Sequence, residues 1–253
     1  MKKESMAEIK KRIETLDIES YPDVIAYLIE DERIGVKKIA LSMENSLKKY
    51  RKAQKKTDEL IMYERGLINC KVLFSGVDEA GRGPLAGPVV AACVIMKETS
   101  KIAGVDDSKK LSETKREKLY DKILQDAVSY GIGISDNIEI DKINILNATF
   151  EAMKRAVKEM PIKPEFILVD GNMKIPEEPI MQKNVIDGDA LCYSIACASI
   201  IAKVTRDKML AELDKKYPEY DFASNKGYGT DKHYDALRKY GLTPVHRKSF
   251  IHL

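Results

Sequence analysis

Apolar residues change their spacing along this chain, and the change divides it into two parts. Over the first 66 residues they recur at three- and four-residue intervals, the period of helices buried along one stripe. Two short amphipathic helices are expected within 4–18 and 21–31. A third starts near Ile34, and a long polar helix covers 41–63. Large apolar residues are sparse over 45–59, and Gly66 interrupts the helical run. From Lys71 the pattern becomes short apolar runs that end in charge or in turn residues. Strands are expected at 72–78, 89–96, 128–134, 166–169 and 185–186. Gly131 and Gly133 weaken the third of these.

Ser112 is a candidate N-cap for a helix running through Gln125, because its hydroxyl can accept an orphan backbone N–H. Phe150, Met153, Val157 and Met160 mark a helix over about 146–160, ended by Pro161 and Pro164. A long helix begins near Ala190 and reaches Lys216, with room for a bend. Its first half is rich in Ala, Ile and Ser and is expected to be buried on most sides. A short helix covers 231–239, and the tail is basic and extended. Three hairpin-like strands followed by strand–helix alternation predict an α/β domain over 71–253, with a mixed sheet and helices on both faces. Residues 1–66 form a helical N-terminal extension with too few large apolar residues for a robust core of its own.

Hydrophobic residues at 44% and charged residues at 33% of 253 fit a soluble chain with a sizeable core. No apolar run approaches the ~18 residues of a membrane span, and the N-terminus lacks the basic-then-apolar pattern of a signal peptide. A cytoplasmic location is therefore expected, with Cys70, Cys93, Cys192 and Cys197 as free thiols. Cys192 and Cys197 lie in an apolar helical run without a nearby histidine and read as structural. His233 reads as a surface helix residue, and His246 and His252 sit in the tail. Zinc chemistry has little support in this set, whereas a hard divalent ion on oxygen ligands does not need these residues. The net charge of +3 says little about partners. The dense run of Lys48, Lys49, Arg51, Lys52, Lys55 and Lys56 says more: it is either a solvated helix face or a phosphate-contacting patch.

The informative feature is where the acids stand. Asp78, Asp170 and Asp187 or Asp189 each follow an apolar strand directly. In α/β sheets the carboxyl ends of neighbouring strands converge on one edge, where sites form. Glu79 is beside Asp78, but strict alternation sends it to the opposite face unless the strand has already ended. Taken singly, each acid reads as a cap or turn residue. Taken together, crowded carboxylates repel and need cations, and Mg²⁺ suits them because it binds hard oxygens while keeping water and phosphate ligands. Two such ions about 4 Å apart can activate a water and stabilise the leaving oxygen of a phosphodiester.

Gly81, Arg82 and Gly83 follow the first acids. Glycines let a backbone approach a ligand closely, and Arg82 offers a fork of donors suited to phosphate. Tyr228, between Gly227 and Gly229, is either a loop anchor or a ring free to stack on a sugar or base. Lys109 with Lys110, and Lys203 with Arg206, are candidate phosphate contacts, surface charges or counter-ions to the acids.

These segments resemble the ribonuclease HII family. The resemblance rests on GVDEAGRGPLAGPVVAA at 76–92, DDSKKLS at 106–112, LVDGN at 168–172, GDA at 188–190, ASIIAKVTRD at 198–207 and NKGYGT at 225–230, and it runs from about Leu73 onward. It implies a ribonuclease H-like fold and a metal-dependent endonuclease acting on RNA–DNA hybrids and on duplex DNA containing ribonucleotides. Cleavage 5′ to the ribonucleotide would leave 3′-hydroxyl and 5′-phosphate ends, the start of ribonucleotide excision and a contribution to clearing primer RNA in replication. The family pattern implies Asp78, Glu79, Asp170 and Asp189 as catalytic ligands of Mg²⁺ or Mn²⁺, which selects Asp189 over Asp187. It implies that Gly81, Arg82 and Gly83 sense the ribose 2′-OH through backbone groups, and that Tyr228 packs by the neighbouring deoxyribose. The related type HIII enzymes lack this loop and tyrosine arrangement. Helical extensions like 1–66 occur in some bacterial relatives, with a role in substrate binding. A monomer with no membrane association and no obligate protein partner is expected.

Overall fold

The computed structural model describes residues 4–68 and 72–251; Cys70 and His252 lie outside them. Its strands are β1 (Phe74–Ala80), β2 (Val89–Met96), β3 (Ala127–Ser135), β4 (Phe166–Asp170) and β5 (Met181–Val185), and its helices are α1 (Met6–Glu14), α2 (Tyr21–Ile29), α3 (Ile34–Gly66), α4 (Glu113–Asp126), α5 (Asn137–Glu159), α6 (Gly188–Leu191), α7 (Tyr193–Lys216), α8 (Phe222–Asn225) and α9 (Asp231–Tyr240). β2 is buried along seven of its eight residues, which requires cover on both faces. Ala92 and Val94 pack with α7 and α4 on one side. Val89, Ala91, Cys93 and Ile95 pack with α5 on the other. The sheet order is β3-β2-β1-β4-β5. β1, β2 and β3 run antiparallel, and β4 and β5 are parallel to β1, so the sheet is mixed and flanked by helices as expected.

Four departures from the sequence reading have physical causes. β5 spans 181–185 rather than 185–186; it pairs only with β4, so this largely polar edge strand needs no apolar run. α5 begins at Asn137, nine residues early, because Asn144 (φ 65°, ψ 165°) breaks it into two helical pieces. Ser112 occupies the N-cap of α4, yet its side chain makes no capping hydrogen bond. The long helix divides at Cys192, whose extended backbone (φ −117°, ψ 130°) separates α6 from α7.

The N-terminal helices have a small core after all. Ile9, Ile25, Leu28, Val36, Ala40, Met43 and Leu47 pack together. The far end of α3 leaves this cluster: Leu60 and Ile61 pack with α4, α7 and β2. Cys93, Cys192 and Cys197 are buried free thiols. Among the described residues no helix is long and apolar enough to cross a membrane.

Gly131 and Gly133, which weakened β3 in the sequence, are what let α5 lie against it. A Cβ at Gly133 would stand 1.9 Å from the Ala152 carbonyl oxygen, and one at Gly131 would stand 2.0 Å from that of Ala156. Gly133→Ala is expected to lower stability by about 1–3 kcal/mol, the usual cost of overpacking. Urea unfolding of the variant against the parent protein measures this.

Candidate active site

Parallel pairing of β1 with β4 sets Val77 opposite Val169. One residue further on, Asp78 and Asp170 leave neighbouring strands that lie about 5 Å apart. Asp78 turns to the α7 face, where Ser199, whose hydroxyl donates to Ser108 at 2.9 Å, partly offsets the rise in its pKa. β5 brings the chain back beside β4, and Asp187 turns it through a left-handed conformation (φ 54°) into α6. The Gly188 N–H then donates to Asp170 Oδ1 at 2.7 Å. A side chain at Gly188 would meet Ile195 at 2.7 Å and that same carboxylate oxygen at 3.0 Å. Asp189 is buried beside Asp170, while Asp187 is exposed.

Glu79 joins the group for a reason other than the one anticipated. β1 does not end before it, since Glu79 pairs with Ala91 on β2. The ladder with β4 stops at Val77, however, and the Glu79 carboxylate feels the Asp170 charge. Arg82 Nη1 donates to it at 3.3 Å.

All four acids are held above the ordinary carboxylate range. Burial is the main cause in each, with the charges of Glu79 and Asp170 added at Asp78, and that of Asp170 at Glu79 and Asp189. Local donors partly offset this: the Glu79 N–H reaches Asp78 at 2.7 Å, and Lys109 Nζ approaches Asp189 at 3.5 Å. Burial opposes the Lys109 ammonium, but Asp189, Asp78 and Asp107 outweigh it and raise its pKa. Among the described residues no three acid, imidazole or thiol groups stand together as a ready-formed metal-ligand set. The donor chemistry nonetheless fits a hard divalent cation: four crowded carboxylates, each destabilised as an anion by its surroundings.

A second group of residues builds the loop beside the acids. Tyr228 is half exposed, and a Cβ at Gly83 would lie 3.5 Å from its ring. The 81–83 loop and Tyr228 therefore face one opening. Arg247, fully buried, donates through Nη2 to the Gly81 carbonyl at 2.6 Å, through Nη1 to that of Arg82 at 2.9 Å, and through Nε to that of Gly87 at 2.9 Å. In a trans peptide the next N–H points opposite to the carbonyl. Fastening these carbonyls inward thus turns the N–H groups of Arg82 and Gly83 away from Arg247.

Arg206 requires a correction. It is buried, and its guanidinium donates to the carbonyls of Pro88, Lys226 and Ala86 at 2.9–3.0 Å. It ties loops together and is not presented to a phosphate. Burial lowers its pKa to about 10, and burial with the Arg206 charge lowers that of Arg247 to about 9. Lys203 is held 2.7 Å from Asp207. Lys110 pairs with Asp107 at 3.5 Å and remains largely exposed.

His233 and His246 are corrected too: neither is a surface or loose tail residue. Both are buried, with their Nε2 atoms 3.0 Å apart. The Thr243 N–H donates to His246 Nδ1, which makes His246 Nε2 the protonated atom and the donor to His233. His233 Nδ1–H is then left to donate to the Tyr228 carbonyl at 2.9 Å. A neutral two-imidazole chain thus holds the backbone of Tyr228. Sequence reasoning missed it and Arg247 because the short tail that carries His246 and Arg247 has no periodicity to report burial, and His233 on α9 is buried by that tail's His246.

The ribonuclease HII model matches residues 75–253, and the ribonuclease HII N-terminal domain model matches residues 5–67. The chain belongs to the ribonuclease HII family. It is similar to the ribonuclease HII of Clostridioides difficile (strain 630), 48% identical over 252 residues, covering 99% of this chain and 98% of that one. The fold matches the crystal structure of the ribonuclease H2 from Pyrococcus horikoshii OT3 with a TM-score of 0.60 and 30% identity, over 70% of this chain and 92% of that one. A likeness of fold alone extends to Bst-RNase HIII in complex with Mn²⁺, at a TM-score of 0.51 and 18% identity, over 70% and 66% of the two chains. As a ribonuclease HII it is an endoribonuclease of the ribonuclease H type, active on RNA–DNA hybrids.

Burial drives the His246 pKa down from 6.5 to about 4, with the His233 ring adding to the effect. A group more easily protonated when unfolded contributes stability above its unfolded pKa and loses it as pH falls toward the folded one. The melting-temperature advantage of the parent protein over His246→Gln is expected to shrink between pH 6.5 and 4. Paired thermal melts across that range check it.

Proposed function

We propose that this ribonuclease HII incises duplex DNA 5′ to embedded ribonucleotides as well as longer hybrids, leaving 3′-hydroxyl and 5′-phosphate ends. The reading is carried by one observation: acids from β1, β4 and α6 gather at a single sheet edge beside the 81–83 loop and Tyr228. Asp78, Glu79, Asp170 and Asp189 would hold a pair of Mg²⁺ or Mn²⁺ ions, which when bound supply an activated water and charge stabilisation for the leaving oxygen. The chain's own groups do the selecting. The Arg82 and Gly83 N–H groups, turned outward by Arg247, hydrogen-bond the ribose 2′-OH. The exposed Tyr228 ring packs on the adjoining deoxyribose. Lys109, with its ammonium mostly in solvent beside Asp189, and the exposed Lys110 meet the phosphate backbone. In the cytoplasm such incision begins ribonucleotide excision and helps remove primer RNA.

Residues 1–66 act as a substrate-binding unit in the same reading. Lys48, Lys49, Arg51 and Lys52 are exposed on α3, while Lys56 is paired with Asp106, the first residue of the DDSKK segment. The exposed part of the run therefore extends the basic surface away from the acids.

Asp78→Asn is expected to abolish nearly all cleavage of a duplex carrying one ribonucleotide, with the fold retained. Cleavage-site mapping in Mg²⁺, with circular dichroism as the control, tests it; normal turnover would remove Asp78 from the metal site. Replacing Lys48, Lys49, Arg51 and Lys52 by alanine should weaken hybrid binding and flatten its salt dependence. Removing one phosphate-neutralising charge changes the log–log slope by about 0.9. An unchanged slope in a binding titration would exclude the patch.

A further inference from the structure

The side chain that caps the central helix of the nuclease comes from the N-terminal extension. α7 begins at Tyr193, and its N-cap residue, Cys192, provides no side-chain cap. The first amides of a helix need acceptors, and an anion there also meets the positive end of the helix dipole. Glu64, two residues before the end of α3, supplies both. Its Oε2 accepts from the Ser194 N–H and the Ser194 hydroxyl, each at 2.8 Å. It is 4% exposed, and burial pushes its pKa up to about 7.

The first turn of α7 is fixed from the other side as well. A Cβ at Gly76 would lie 2.2 Å from the Ser194 carbonyl carbon, so β1 and α7 meet backbone to backbone two residues before Asp78. Immediately upstream, Cys192 N–H bonds Gly188 O at 2.8 Å and Ala196 N–H bonds Cys192 O at 2.9 Å, which joins α6 and its Asp189 to the same turn. Just over a turn downstream on α7, Ser199 acts on the Asp78 carboxylate and lowers its pKa. An axial shift of this one turn would move Asp189 and the Ser199 support of Asp78 together.

We propose that Glu64 is a positioning residue for the nuclease reaction: by capping α7 from the N-terminal extension, it sets Asp189 and Asp78 at the spacing their shared cations require. The extension is then part of the scaffold of the acid cluster as well as a surface for nucleic acid. This rests on the assignment of Asp78 and Asp189 as metal ligands. Groups that hydrogen-bond a metal ligand are generally worth roughly 10–100-fold in affinity or activity, and Glu64 acts on the ligands through the first turn of α7.

The test uses the full chain with Glu64→Ala, Glu64→Asp and Glu64→Gln. Glu64→Ala is expected to lose kcat and calorimetric Mn²⁺ affinity by roughly 10–100-fold, with KM for the hybrid little changed. KM is spared because Arg247, from beyond α9, holds the 81–83 loop, and the start of α7 does not. Glu64→Asp keeps the charge but withdraws the acceptor, and should show the same losses in a folded protein if the alanine variant is too unstable to assay. Glu64→Gln keeps an acceptor oxygen and should recover most of both quantities. Parent-like kcat and Mn²⁺ affinity in Glu64→Asp, or a Glu64→Gln as impaired as Glu64→Ala, would overturn the proposal. Asp189→Asn, run alongside, separates the two readings: if it stays active the ligand assignment fails, whereas an inactive Asp189→Asn beside an unaffected Glu64→Asp leaves the ligands standing and removes only Glu64.

Discussion

Everything in this protein is arranged around anions that are kept where they are least comfortable. Parallel pairing of β1 and β4 sets Asp78 and Asp170 side by side at the sheet edge, and Gly188 permits Asp189 to close on them. Each carboxylate is pushed toward its neutral form by burial, and most also by a neighbouring acid. A cluster of this kind weakens the fold unless positive charge arrives, so it persists only where that charge is part of the function. Rigidity around it follows. Packing on both faces of β2, the close approach of α5 at Gly131 and Gly133, and that of α7 at Gly76 leave these strands little room to relax.

The proposed recognition surface is built differently from the acid cluster. The 81–83 loop and Tyr228 are irregular backbone, with no ladder to shape them. Their conformation comes from buried cations and imidazoles: Arg206 and Arg247 gather carbonyls from two loops, and His233 with His246 holds the Tyr228 backbone. Guanidinium groups suit this use because their planar forks satisfy several carbonyls at once. Their depressed pKa values reflect how far they sit from water.

The sheet was legible because apolar runs ending in Asp78 and Asp170 report both a strand and its functional end. The bounds of β2, and of α4 to within a residue, followed from periodicity. The edge strand β5 was not legible, since one-sided pairing removes the apolar signal. The Asp187–Asp189 ambiguity likewise lay beyond periodicity, because a left-handed turn at Asp187 decides which acid is buried. Arg206 misled for a different reason. One turn from Lys203 on an apolar helix, it read as an exposed charge, and only the fold reveals three carbonyls waiting for it. Glu64 carried no signal at all, since its partner lies 130 residues away.

The Arg247 latch also has a consequence for the order of assembly. It joins residues 165 and 166 positions apart in the chain. During synthesis the loop proposed to discriminate RNA from DNA is made long before the residue that shapes it. The growing chain therefore acquires the shape of this loop late, only once the C-terminal segment that carries Arg247 has been made.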